Sequence, residues 1–303
     1  MLLARARDAW QQWKNRPAEF SFVRYGKVRQ RRPSEVALPG NTLKLLSFNV
    51  QAGIASQRFG DYLTGSWKQV IAHPQSANNI DRIADLVCDF DLVALQEVDG
   101  GSLRSGNRNQ LVQMATRAEF PFWHQQLNRN LGRLGQFSNG LLSRLTPYHI
   151  EDHRLPGLPG RGAIIARYGH PDNPLVIVGA HLALGEKYRN TQLAYLCEQL
   201  RDYRHLIVMG DFNCRLEHLA HSPLRELGLL FPQRSLLTYP SWAPDRHIDH
   251  ILLSPTLTVS NQRVLTDCRL SDHLPLAMDV QLPEDVLEAA SHAPRALTLQ
   301  EPR

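Results

Sequence analysis

"MGDFNCRLEH" (209–218) follows directly on the apolar run RHLIV (204–208), and the reading of this junction decides the fold. An apolar run that stops at Gly-Asp-x-Asn is a buried strand. Its carboxyl end then carries two oxygen-bearing side chains, Asp211 and Asn213, which point the same way because alternate residues of a strand share a face. Taken alone, the stretch reads more simply as a turn, since Asp and Asn are ordinary turn formers. The rest of the chain decides between the two readings.

Working outward, apolar strands alternate with helical patterns. "LKLLSFNV" (43–50), "DLVALQEVD" (91–99), "SNGLLSR" (138–144), "RGAIIARYG" (161–169), "PLVIVGAHL" (174–182), "HIDHILLS" (247–254) and "LPLAMDVQL" (274–282) read as further strands. "NNIDRIADLVCDF" (78–90) puts Ile80, Ile83, Ala84 and Val87 on one helical face, with an asparagine as cap. "NQLVQMATRAEF" (109–120), "EKYRNTQLAYLCEQLRDY" (186–203) and the short "SPLRELGLL" (222–230) read as helices too. Strands joined partly through helices and partly without them predict an α/β fold of two mixed sheets packed together, with helices outside. The catalytic domain is expected over 41–283, preceded by an arm and linker (1–40) and followed by a tail (284–303).

The 303 residues are 43% hydrophobic and 21% charged, an ordinary globular balance. No apolar run is long enough to span a bilayer, and the N-terminus lacks the apolar core of a secretory signal. Cys88, Cys197, Cys214 and Cys268 form no CxxC pair, so neither a zinc site nor a disulfide framework is expected. Cys88 and Cys197 sit in helical patterns and read as buried free thiols, which predicts a reducing, cytoplasmic compartment. Residues 1–40 hold nine Arg or Lys against three acids, a charge of +6. The whole chain carries +5, which leaves −1 for residues 41–303. The basic excess thus belongs to the arm, whereas a nucleic-acid binder usually carries it on the binding domain. Leu2, Leu3, Ala6, Trp10 and Trp13 share a helical face flanked by basic residues, so residues 1–32 offer a peripheral contact with the inner face of the membrane. The same face would also suit docking on the protein's own surface, and both readings stay open.

Polar groups recur where the strands end. Asn49 closes the first strand, Glu97 lies in "LQEV", His181 closes "VGAHL", Asp211 and Asn213 close "MGDFN", Asp249 opens "DHILL", and Asp272 and His273 precede the last strand. Each has a bland reading as a turn residue, cap or satisfied histidine. Buried acids need partners, however, and so many at strand ends are most simply explained by convergence on one pocket. That donor set holds oxygen and imidazole but no thiolate, which suits a hard cation such as Mg²⁺, with Mn²⁺ as a substitute.

In this order, "LSFNV", "LQEV", "NGLLSR", "GAHL", "GDFN", "IDHILLS" and "SDHLPL" resemble the endonuclease/exonuclease/phosphatase superfamily, with its deoxyribonuclease I-like fold. The resemblance covers about 43–282. It implies a four-layered α/β sandwich with the site at one end of two packed sheets, and metal-dependent phosphoester hydrolysis. Position by position, Glu97 matches the principal metal ligand, Asn49 the residue that positions metal and phosphate, and Asp272 a second carboxylate near the metal. Asp211 matches the carboxylate that orients or deprotonates the attacking water, and Asn213 an amide that holds a phosphate oxygen. Asp249 would pair with a cationic His273, and His181 matches a phosphate contact or general acid. Asn139 matches a polar residue near the site. The resemblance leaves open whether Asp211 or His273 is the base. "YPSWAPDR" (239–246) partly fits the inositol-polyphosphate 5-phosphatase branch, but the acid that opens the strand is Asp249, and Asp245 reads as a loop residue.

In-line attack on phosphorus builds negative charge on the phosphoryl and leaving oxygens; a cation, an imidazolium and amide donors complement it. Two arginine-bearing loops, with Arg104 and Arg108 in 100–110 and Arg129 and Arg133 in 128–140, are the candidates for contacting a nucleic-acid backbone or an anionic lipid head group. Solvated loop charge is the bland alternative. A phosphodiesterase of nuclease type is the leading expectation. A membrane-lipid phosphodiesterase or phosphatase is the alternative, and a non-catalytic phosphate-binding module would require a lost ligand that the sequence does not show.

Overall fold

Alternate residues along each strand divide between two apolar clusters, and this division builds the layers. The computed structural model describes residues 23–26, 41–53, 74–132, 134–157 and 159–286. In chain order these form β1 (Val23–Gly26), β2 (Thr42–Asn49), α1 (Pro74–Val87), β3 (Leu92–Asp99), α2 (Gln110–Arg117), β4 (Phe122–Asn130), β5 (Gln136–Ser143), β6 (His149–Arg154), β7 (Gly162–Tyr168), β8 (Leu175–His181), α3 (Glu186–Leu200), β9 (His205–Asp211), β10 (Asp249–Leu253), β11 (Thr258–Val264) and β12 (Leu276–Gln281). One sheet has seven strands in the order β1-β4-β5-β3-β2-β12-β11; the other has five, β10-β9-β8-β7-β6.

Leu45, Ala94, Ile177, Ile207, Met209 and Ile251 fill the space between the sheets. Their strand neighbours point outward. Leu46, Phe48, Val93 and Leu95 meet Ile80, Ile83, Val87, Leu111 and Met114 of α1 and α2. Val176, Val178, Leu206 and Val208 meet Leu193, Leu196, Cys197 and Leu200 of α3. The result is helix, sheet, sheet, helix, the expected four layers. A one-residue slip of any central strand would exchange two apolar faces, so this pattern pins the register.

Two pairs are parallel, β2 with β3 and β8 with β9. Each is joined through a helix, α1 or α3, so within each pair both carboxyl ends lie at the same edge. Asn49 stands opposite Gln96, and His181 opposite Asp211. β10 runs antiparallel to β9 and begins there, with Asp249 opposite Asp211. The polar strand ends are therefore neighbours by topology.

Several expectations are corrected. Val23–Gly26, inside the segment read as arm and linker, pairs with Trp123–Gln126 and extends the large sheet. Beyond the expected boundary at 283, Val286 is buried against the inter-sheet core. The rest of the arm, including the amphipathic stretch 2–14, and the tail after 286 lie outside the described residues. Strands β4, β6 and β11 stand where no strand was expected. Their sequences FWHQQLNRN, HIEDHR and TVSNQRV carry polar side chains that hide the alternation. The helix expected at 222–230 is a 3-10 turn, Pro223–Leu227, capped by Ser222 and stopped at Gly228 in the left-handed region. Cys88 is exposed rather than buried, while Cys197 is buried.

Candidate active site

Backbone irregularities aim the side chains. In β3, pairing with β5 passes from Leu95–Gly140 to Val98–Ser138, so Gln96 and Glu97 together face Asn139. This is a bulge, and Glu97 adopts φ 57° within it. The bulge turns Glu97 toward the end of the sandwich and leaves its side chain 33% exposed. On β9, Gly210 has φ 144°, and a Cβ there would lie 1.9 Å from the Ala180 carbonyl oxygen. The glycine at the joint is thus required for β9 to pass close to β8 just before Asp211. Asn213 has φ 51°; its backbone N–H donates to Asp211 Oδ1 at 2.9 Å, and its amide donates to the Leu182 carbonyl at 3.0 Å.

Asn49 links the two sheets. Its Nδ2 donates to Asp211 Oδ2 at 3.1 Å and to Glu97 Oε1 at 3.3 Å, while its Oδ1 accepts from the Gln51 N–H at 3.1 Å. His181 Nε2 lies 3.4 Å from Asp211 Oδ2 and 3.9 Å from Glu97 Oε1. Arg161 donates to His181 Nδ1 at 3.2 Å, which places the imidazole proton on Nε2, facing the carboxylates. Asp249 Oδ2 accepts from Thr238 Oγ1 at 2.5 Å and from His273 Nδ1 at 2.8 Å. The other His273 nitrogen lies 3.9 Å from Asp211 Oδ2, and the ring rests at 4.8 Å from that of Tyr239. Asp272 is buried and accepts from Ser271 Oγ at 3.1 Å.

The electrostatics divide the two histidines. Burial pushes His181 well below its ordinary value, and the Arg161 charge adds to this, so His181 is neutral. Burial also acts against charge on His273, but Asp249 and Asp211 outweigh it and push His273 up to about 10. Burial raises Asp211 to about 7 against the pull of His273. Asp272 is raised by burial, and the Glu97 charge adds to it.

Eight of the sequence-derived residues, Asn49, Glu97, His181, Asp211, Asn213, Asp249, Asp272 and His273, meet at this one edge. The arginines do not behave as a set. Arg104 is buried, ion-paired with Asp99 and stacked 4.1 Å over the Phe137 ring, so it holds the 99–105 turn instead of facing solvent. Arg108 is exposed, and Arg133 lies outside the described residues. Arg129 lines a pocket of about 370 Å³ together with Glu97, His181, Asn139 and Tyr188. Asn139 is buried opposite the bulge and donates to Gln126 and to the Gly162 carbonyl.

Sequence reading missed four supporting residues: Arg161, Thr238, Tyr239 and Arg189. Arg189 is buried in α3 and donates to the carbonyls of Leu184 and Asn213 at 2.8 and 2.9 Å, tying the two loops that flank the site. Arg161 opens the segment read as a strand and in the structure stands just before it, the one signal of this kind that was available. Arg189 sits in an ordinary helical pattern and gives none.

Residues 46–273 match the profile of the Endonuclease/Exonuclease/phosphatase family. The chain belongs to this family. Solved structures agree in fold. A family member from Beutenbergia cavernae aligns with a TM-score of 0.59 at 18% identity, over 80% of this chain and 72% of its own. The mannosyl-6-phosphatase of Bacteroides thetaiotaomicron aligns at 0.57 and 19%, over 78% and 99%. D. rerio TDP2 complexed with a single-strand DNA product aligns at 0.55 and 16%, over 79% and 98%. No curated protein matches the sequence significantly.

Family members are phosphoester hydrolases and generally use a divalent metal, and the residues here fit one. Glu97 and Asp272 offer carboxylate oxygens and, among the described residues, form no ion pair with Arg or Lys. Ligand atoms of Asp211, Asp249 and His273 also lie within 4.8 Å of one another. In that trio His273 Nδ1 is already bonded to Asp249 Oδ2 at 2.8 Å.

Proposed function

We propose that the protein is a Mg²⁺-dependent phosphoester hydrolase, a phosphodiesterase of nuclease type that uses in-line attack of water on phosphorus. The observation that carries this reading is the Asp211 carboxylate, buried at the meeting point of Asn49, His181 and His273. Glu97 and Asp272, with Asn49 beside them, would hold Mg²⁺ or Mn²⁺. The bound ion would polarise the phosphoryl group and offset its charge.

Asp211 is the base: its raised affinity for a proton suits removing one from water near neutral pH, whereas His273 is already protonated. His273, held by Asp249, faces the phosphoryl oxygens as a cation. Neutral His181 presents its Nε2–H to a phosphoryl or leaving oxygen, and Asn213 supports the same oxygens. A family neighbour that acts as a sugar phosphatase and another that holds single-strand DNA are consistent with phosphoester chemistry.

One observation favours a lipid substrate as the second reading. Leu184 and Tyr188, which line the pocket, are 74% and 43% exposed, and Leu131 and Leu134 on the β4–β5 turn are 44% and 60% exposed. Exposed apolar side chains around a charged pocket suit an amphiphile at a membrane surface. Residues 1–32 would add a peripheral contact. No described helix is long and apolar enough to cross a membrane.

Plasmid DNA and anionic phospholipid vesicles, each incubated with Mg²⁺ and with Asp211→Ala as control, test both readings. DNA cleavage that is lost in the variant supports the nuclease reading. Hydrolysis of lipid alone moves the assignment to the membrane. Full activity in Asp211→Ala sinks the site assignment.

A further inference from the structure

The pocket that Glu97 and His181 line also holds two arginines. Arg129 and Arg161 both line it. Among the described residues, neither forms an ion pair with a carboxylate, while Arg104 and Arg167 are paired with Asp99 and Glu151. Arg161 directs one N–H to His181 Nδ1 and lies 3.5 Å from the Gly160 carbonyl. Its remaining N–H groups, and those of Arg129, have no protein acceptor among the described residues.

Glycines flank Arg161, and the Arg129 stem runs beside one of them. A Cβ on Gly160 would lie 3.7 Å from Arg129 Cδ, so the Arg129 stem packs on the residue just before Arg161. A Cβ on Gly162 would lie 2.1 Å from Asn128 Oδ1 and 2.3 Å from Gln126 Oε1, so the ends of two β4 side chains reach over the residue just after Arg161. Two guanidinium groups that line one pocket and keep N–H groups without a protein acceptor suit a phosphate. The scissile phosphate is already met by His273, His181 and the cation site. A pocket of about 370 Å³ has the volume of a small-molecule site.

We propose that Arg129 and Arg161 form a second anion subsite, which takes a further phosphate on the same substrate molecule. The enzyme would then prefer phosphoesters that carry two phosphates. This inference rests on the proposed function for the position of the scissile phosphate.

The test is binding, which needs no turnover. Methylphosphonate and α,ω-alkane bisphosphonates of one to four carbons are titrated calorimetrically into the full-length protein in excess Mg²⁺. The best-spaced bisphosphonate is expected to bind roughly tenfold or more tightly than methylphosphonate, the order of a charge-assisted hydrogen bond. Arg129→Gln and Arg161→Gln should each reduce that advantage. A bisphosphonate series no tighter than methylphosphonate, or an advantage that survives both substitutions, overturns the subsite.

A protein that shows the advantage but hydrolyses no phosphoester keeps the subsite and loses the hydrolase reading. One that hydrolyses diesters without the advantage loses only the subsite. A dinucleotide with and without a terminal phosphate then identifies the source. A matching preference there assigns the second phosphate to a nucleic-acid strand. A preference confined to the alkane series assigns it to a small soluble phosphoester.

Discussion

Asn49 and Asp211, from different sheets and 162 residues apart, meet at 3.1 Å, the amide donating to the carboxylate. The same amide also donates to Glu97, so it joins the proposed cation side of the site to the proposed water side at Asp211. Asn49→Ala should leave the buried Asp211 oxygen and the part-exposed Glu97 oxygen short of a donor and cost about 1–3 kcal/mol of stability. Turnover should fall by about a hundredfold or more, as for loss of an oriented donor at a reacting phosphate. Asn49→Asp should be worse, because it places a third carboxylate against two. Denaturant melts with steady-state kinetics check this; near-normal turnover in Asn49→Ala would separate the two halves of the site.

Asp249 holds His273 in its charged form. The folded value of His273, about 10, lies above its ordinary value, so the stabilisation from this ion cluster is complete below about pH 6.5. It is lost as pH rises through about 10. Asp249→Asn should therefore draw the alkaline limb of the pH–rate profile toward neutrality by about one unit or more. An unmoved limb would show that the His273 charge does not control the rate.

His250 behaves in the opposite sense. It is buried, donates from Nε2 to the Cys214 carbonyl at 2.7 Å, and stacks on His247 at 4.4 Å. Burial pushes it down to about 3, so the folded protein resists protonation that the unfolded chain accepts. Stability is then full above about pH 6.5 and falls by about 1.4 kcal/mol per pH unit toward pH 3. The midpoint of thermal unfolding between pH 7 and 5 should slope less in His250→Gln than in the native sequence.

Gly210→Ala tests the close strand passage before Asp211. The added methyl would meet the Ala180 carbonyl at a backbone angle that L-residues rarely adopt. The strain should cost about 2 kcal/mol or more and displace Asp211, so activity should fall with stability. A stable and fully active variant would mean that β8 and β9 can separate freely.

Arg104→Gln should reduce stability without changing the Michaelis constant. Asp99 also accepts from the Ser102 N–H at 2.7 Å and from Ser105 Oγ at 2.9 Å, so the turn has other ties. Breaking a buried ion pair nevertheless costs about 3–5 kcal/mol. A raised Michaelis constant with unchanged stability would return Arg104 to the substrate surface.

Much of this was legible in the chain itself. Central strands such as β8 and β9 are apolar on both faces, so they stand out by composition, and the polar residue that ends each run marks the site. Asn49, His181 and Asp211 were read this way, and Glu97, within its strand, and Asp249, at the start of its own, were read from the same apolar context. Strands β4, β6 and β11 were not. Their polar residues are satisfied by neighbours, as Gln126 is by the His153 and Ala163 carbonyls, and no sequence pattern records those neighbours. Arg104 and Arg129 look alike in sequence, two arginines in polar surroundings, yet one is buried on Asp99 and the other lines the pocket.

Hydrophobic period and strand-end chemistry are local properties of the chain; they marked the central strands and the polar groups that converge at one edge, and the order of the motifs carried the resemblance to the family. The bulge that turns Glu97, the Arg161 bond that selects the His181 tautomer and the charge on His273 depend on groups far apart in sequence. Only the packed sheets bring those groups within hydrogen-bond reach, and only burial there makes their mutual charges strong enough to decide which one holds the proton.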